Sequence, residues 1–92
     1  DVTIREIAYL ELGGTGLELI SVEGAADAPH AEWHVGYRMM ALEVDDMDEA
    51  VTFLEGNGVE ITWGPEELED SVRAEIEDPN GVAIELRQWR GA

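Results

Sequence analysis

Two patterns alternate along the chain. Residues 2–12 and 17–23 are two β-like runs, apolar residues interspersed with polar ones. Gly13-Gly14-Thr15-Gly16 separates them and predicts a hairpin turn, with glycine where positive φ is needed. Residues 24–35 are richer in alanine, carry Pro29, and read as a connection with room for one short helix. Residues 38–44 alternate with a period of two. Met40, Leu42 and Val44 fall on one face, and Met39, Ala41 and Glu43 on the other.

The period then changes. In residues 45–56, Met47, Ala50, Val51 and Leu54 recur at helical spacing and predict a buried stripe. Asp45 or Asp46 can cap that helix, acids in its first turn suit its dipole, and Gly56 can end it. Asn57-Gly58 turns the chain into a β-like run at 59–63, and 64–70 reads as an acidic loop opened by Gly64-Pro65. Residues 72–77 and 82–87 are the last strands, joined by the strong turn signal Asp78-Pro79-Asn80-Gly81. The order from residue 38 is β-α-β-β-β, preceded by a hairpin. That predicts an α+β fold, with one amphipathic helix on a mostly antiparallel sheet.

Composition narrows the partners. The chain has 92 residues, enough for one small domain, and 45% of them are hydrophobic, too many for an acidic disordered tail. Twenty-two acids face five arginines and no lysine, for a net charge of −17. Such a surface repels a phosphate backbone or an anionic membrane, so neither nucleic acid nor membrane is an expected partner. Without cysteine there is neither a disulfide framework nor a thiolate zinc site. No run is long enough to span a membrane and no basic segment leads an apolar one, so the expected location is the cytoplasm.

Three segments resemble the vicinal oxygen chelate superfamily of glyoxalases, bleomycin resistance proteins and dioxygenases. Arg38-Met39-Met40-Ala41-Leu42-Glu43-Val44-Asp45-Asp46 resembles the family's strand-to-helix entry. Asp78-Pro79-Asn80-Gly81-Val82-Ala83-Ile84-Glu85-Leu86 resembles its closing hairpin, and residues 10–20 are similar to the end of its first module. The layout is most similar to methylmalonyl-CoA epimerases and glyoxalase/bleomycin-resistance-type members. The resemblance implies two βαβββ modules forming a curved, mostly antiparallel bowl around a divalent metal. Residues 1–24 would be the end of the first module, 25–36 a connection, and 37–90 a complete second module. The first module's opening β-α-β is then missing, supplied by further residues or by a second chain. A homodimer is the expectation, because residues 2–12 would otherwise leave an apolar edge.

The resemblance also assigns metal-ligand positions. Glu18 and Glu85 occupy the two acid positions, while Met39 stands at the second module's histidine position. A thioether is a poor ligand for hard or borderline ions, and two carboxylates hold such an ion weakly. No cofactor is therefore expected, with a divalent metal as the alternative. Strand alternation puts Arg73, Glu75, Glu85 and Arg87 on the bowl face. The arginines there either hold an anionic group of a ligand or pair with Glu75 or Glu85. The expected pocket is Glu18, Met39, Ala41, Arg73, Glu75, Glu85 and Arg87.

Other groups offer less. His30 and His34 have helical metal spacing but lack a third ligand. Trp33, Tyr37, Trp63 and Trp89 read as packing or interface residues before stacking platforms. Gly13 to Gly16 lacks the following helix of a phosphate loop, and neither Ser21 nor Ser71 sits in a nucleophile elbow. Three functions stay open. The first is a small-molecule-binding protein with a dimeric bowl and no metal. The second is a metal-dependent lyase, isomerase, epimerase or dioxygenase acting on vicinal oxygens. The third is a structural module with a vestigial pocket.

Overall fold

The described residues fold into seven elements that put one helix against one face of a four-stranded sheet and leave a hairpin apart from it. The computed structural model describes residues 2–27 and 33–91. The elements are β1 (Ile4–Leu12), β2 (Thr15–Val22), β3 (Met40–Glu43), α1 (Met47–Gly56), β4 (Trp63–Glu67), β5 (Ser71–Glu77) and β6 (Ala83–Trp89). The expected α+β class and the β-α-β-β-β order are both present.

The larger sheet runs β3-β6-β5-β4. β6 pairs antiparallel with β5 and parallel with β3, so the first and last strands of the module lie side by side. α1 provides the crossover between layers. Asp46 caps it, its Oδ1 accepting from the Glu49 N–H at 3.1 Å, and the Met47 N–H donates to Gln88 Oε1 at 2.7 Å. One otherwise orphaned donor at the helix start is therefore satisfied from β6, which ties the helix to the sheet. Met47, Ala74, Ile76 and Leu86 form the buried core, with Leu42, Val44, Val51 and Leu54 packed around it. The predicted stripe on α1 is the stripe that faces the sheet.

Two boundaries differ from the sequence reading. The run at 59–63 is not a strand, and β4 occupies Trp63–Glu67 inside the stretch read as a loop. Gly64-Pro65 suggested a break because proline lacks an N–H. β4 is an edge strand, however, and a bulge between Trp63 and Glu66 absorbs the pair without costing the ladder an inner bond. The first hairpin is also tighter than expected. Gly13 and Gly14 alone make its turn with φ of 56° and 87°, while Thr15 and Gly16 belong to β2. No helix forms among the described residues of the connection.

β1 and β2 pair only with each other, so the sheet is in two pieces rather than one. The accessible surface is 7352 Å², against roughly 5,300 Å² for a compact chain of this mass. The radius of gyration is 15.2 Å, against about 12 Å for a compact chain of this length. Apolar hairpin side chains are among the exposed groups. Register puts Ala8, Leu10, Leu17 and Leu19 on one face and Ile7, Tyr9, Glu18 and Ile20 on the other. Leu10 is 45% exposed and Ile20 53%. Leu17 and Leu19 do not face α1, which covers the larger sheet.

Candidate functional site

The open face of the larger sheet, opposite α1, gathers the predicted charged residues. Because Ala74, Ile76 and Leu86 point to the helix, alternation turns Arg73, Glu75, Glu85 and Arg87 the other way. Register sets Arg73 directly across from Arg87 and Glu75 directly across from Glu85. Ala41 lies beside Glu85 on β3, and Met39 immediately precedes that strand. Glu18 is elsewhere, exposed on β2 across from Tyr9. A hydrogen bond to the Glu18 side chain, with a smaller contribution from desolvation, raises the Tyr9 pKa above the ordinary phenol value.

Glu85 is the centre of the charged cluster. Its Oε2 accepts from Arg87 Nη2 at 2.6 Å, and its Oε1 lies 3.6 Å from Arg73 Nη1. The Arg73 Nε–H donates to Ser71 Oγ at 2.8 Å, and the Ser71 hydroxyl donates to Asp70 Oδ1 at 2.9 Å. Asp70 Oδ1 also lies 3.5 Å from Arg73 Nη2. The bond from Ser71 chiefly, helped by Arg73, keeps the Asp70 pKa below the usual carboxylate range. The Arg87 guanidinium stacks 5.0 Å from the centre of the Trp89 ring, and its Nε is buried without an acceptor.

The pairing falls on Glu85 and not on Glu75. Ser71, Asp70 and Trp89 as supports for the arginines were not anticipated. Their signal is the two-residue spacing of Ser71-x-Arg73, Glu85-x-Arg87 and Arg87-x-Trp89, which puts each pair on one strand face. The four aromatic candidates all lie outside the core. Trp63 and Trp89 are about two-fifths exposed, and Trp33 and Tyr37 more so. The Arg38 guanidinium lies 4.5 Å from the centre of the Trp33 ring, and His34 Nε2 donates to the Tyr37 carbonyl at 2.9 Å. His30 lies outside the described residues, which leaves the paired-histidine idea without geometry.

A divalent ion does not suit this donor set. Both Glu85 oxygens face guanidinium groups, whose charge repels a second cation. Met39 offers a thioether, and Glu18 is engaged with Tyr9 on the other sheet. Among the described residues no three histidine, cysteine or acidic side chains are grouped to hold a metal.

A separate cleft of about 900 Å³ lies between the hairpin turn and the helix side of β3. Leu12, Thr15 and Leu17 line one wall, and Met40, Leu42 and Leu54 line the other. It includes Ala41 but none of Glu18, Arg73, Glu75, Glu85 or Arg87. It is an apolar seam between the two sheets, and the charged cluster around Glu85 lies outside it. Among the described residues no helix is long and apolar enough to cross a membrane.

A helix crossing from the first strand of a βαβββ unit, whose last strand returns beside the first, defines the glyoxalase type of fold. The chain belongs to the Glyoxalase/Bleomycin resistance protein/Dioxygenase superfamily, whose family model matches residues 3–86. No curated protein matches it. Solved structures share the fold at low identity. A glyoxalase family protein from Enterococcus faecalis aligns with a TM-score of 0.73 at 21% identity, over 94% of this chain and 77% of that one. A glyoxylase/bleomycin resistance protein/dioxygenase domain from Frankia sp. EAN1pec aligns with a TM-score of 0.74 at 17% identity, over 99% of this chain and 76% of that one.

Proposed function

We propose that the protein binds a small organic ligand on the open face of its larger sheet, in a bowl completed by a second copy of the chain, without a resident divalent metal. The observation that carries this reading is Glu85. The acid at the family's ligand position is clamped between Arg87 and Arg73, so guanidinium groups stand where a metal would compete for the same oxygens. Trp63 and Trp89 offer partly exposed indoles beside them as apolar walls for a ligand.

The second copy is supported by surface. The excess of about 2,000 Å² over a compact chain compares with the roughly 800 Å² per partner of a standard interface. The hairpin exposes apolar side chains on both of its faces.

Two measurements test the reading. Sedimentation equilibrium should give twice the chain mass at micromolar concentration, with dissociation on Leu10→Glu or Ile20→Glu. A monomer with unchanged secondary structure would remove the dimer. Elemental analysis after dialysis against manganese, nickel and zinc should find metal far below one ion per chain. Stoichiometric metal lost on Glu85→Gln would overturn the metal-free site.

A further inference from the structure

We infer that Arg73 and Arg87 form a receptor for a single carboxylate, which makes the ligand a small monocarboxylic acid with an apolar body. This rests on the reading that the open face binds a small organic ligand, and it adds the ligand's charge and class.

The arrangement of the two arginines needs a reason. Arg73 and Arg87 are direct cross-strand partners, and like charges in that position repel. Two of the chain's five cations therefore stand opposite one another on a single face. Glu85 bridges them but fills little of their capacity. Each guanidinium carries five N–H donors. Arg87 has one short bond to Glu85, and its Nε–H has none. Arg73 has one short hydrogen bond, at Nε, and its two Nη groups lie 3.6 Å from Glu85 and 3.5 Å from Asp70. Both side chains are about three-quarters buried, and Arg87 Nε is shut off from solvent without an acceptor.

The donors are also held in place before any ligand arrives. Fully buried Ser71 fixes the Arg73 plane from below, and Trp89 stacks on Arg87. A carboxylate docking between them forms charge-assisted bonds without having to order two long side chains. The body of the acid then rests on the indole of Trp89, with Trp63 farther along the same face.

The surrounding acids set the charge limit. Glu75 lies across from Glu85, Glu66 across from Arg73, and Glu43 beside Arg87. With Asp70, they make the rim negative. The rim's repulsion grows with ligand charge, so a phosphate dianion meets about twice what a monocarboxylate meets, and the site favours the single charge.

Benzoate, its neutral isostere benzamide, and inorganic phosphate test the assignment, titrated at low ionic strength against the purified dimer. Indole resonances of Trp63 and Trp89 report occupancy. Benzoate should bind at least ~10-fold more tightly than benzamide, as expected for charge-assisted bonds, and phosphate should not compete with it. Arg87→Gln and Arg73→Gln should each weaken benzoate about 10-fold while leaving benzamide unchanged. Glu75→Gln should tighten benzoate, a gain that misfolding does not produce. Equal binding of benzoate and benzamide overturns the carboxylate receptor and leaves the ligand-binding face standing. So does a screen in which only neutral compounds shift the two indoles. If no compound of either charge shifts them, the ligand-binding reading falls as well.

Discussion

The β1–β2 hairpin and the β5–β6 pair are antiparallel ribbons of nearly equal length, and both read as strands in sequence. Their surroundings differ. β5 and β6 have strands on both sides and a helix on one face, and Ala74, Ile76 and Leu86 are buried there. The hairpin has neither, and its leucines and isoleucines remain about half exposed. A two-stranded ribbon is marginal in water by itself, whatever its β-propensity. Alternation therefore specifies which face can be buried, while a third layer decides whether burial occurs. The hairpin is apolar on two faces and needs partners for both. The β5–β6 pair uses one face for the core and is free to carry charge on the other.

The largest expected effect separates these regions directly. Leu86→Ala should cost about 2–5 kcal/mol, because the residue is only 3% exposed and sits against Met47. Leu10→Ala, at 45% exposure, should cost less than about 1 kcal/mol in protein dilute enough to be monomeric. Urea melts of both variants check the pair. Equal losses under dilute conditions would mean that the hairpin is already packed within one chain.

Two glycines sharpen the contrast on a smaller scale. Gly14 in the hairpin turn and Gly64 in β4 both have positive φ, 87° and 78°. A Cβ on Gly14 meets nothing within 4 Å, whereas one on Gly64 would lie 2.6 Å from the Arg73 carbonyl oxygen. Gly14→Ala should therefore cost only the left-handed backbone term, about 1 kcal/mol. Gly64→Ala adds displacement of β5 backbone, for about 3 kcal/mol together. It should also disturb Arg73, so thermal melts and the benzoate titration should both report it.

The contrast also explains what was legible in the sequence. Period and punctuation were enough for the helix stripe, the Asp46 cap, the closing hairpin and the shared face of Arg73, Glu75, Glu85 and Arg87. These are local properties, set within one element or across one short turn. β4 was misread because Gly64-Pro65 breaks a strand in general and is tolerated only at an edge, and edge position is a property of the whole sheet. The choice of Glu85 over Glu75 as the arginine partner depended on side-chain reach, which alternation does not encode. The separation of the hairpin could not be read at all, since its sequence is that of a strand pair within a larger sheet.

The smallest effects lie in two titrations, one in each region. In the module, Asp70 is held below its ordinary pKa by Ser71 and Arg73. A group depressed on folding stabilises the fold above its unfolded pKa, near ~3.9, and loses that contribution as pH falls through the lower folded value. Ser71→Ala should raise the Asp70 pKa toward the ordinary value and weaken the fold's resistance to acid, read from carboxyl carbon shifts and acid melts. In the hairpin, Tyr9 is raised by its bond to Glu18. A raised phenol stabilises the fold below its unfolded pKa, near ~10, and loses that contribution as pH rises through the folded value. Glu18→Gln should lower the Tyr9 pKa, read from the Tyr9 ring carbon shifts. If the substitution leaves the Tyr9 titration unmoved, the Tyr9–Glu18 contact is not held in solution, and the hairpin is looser than the paired register requires.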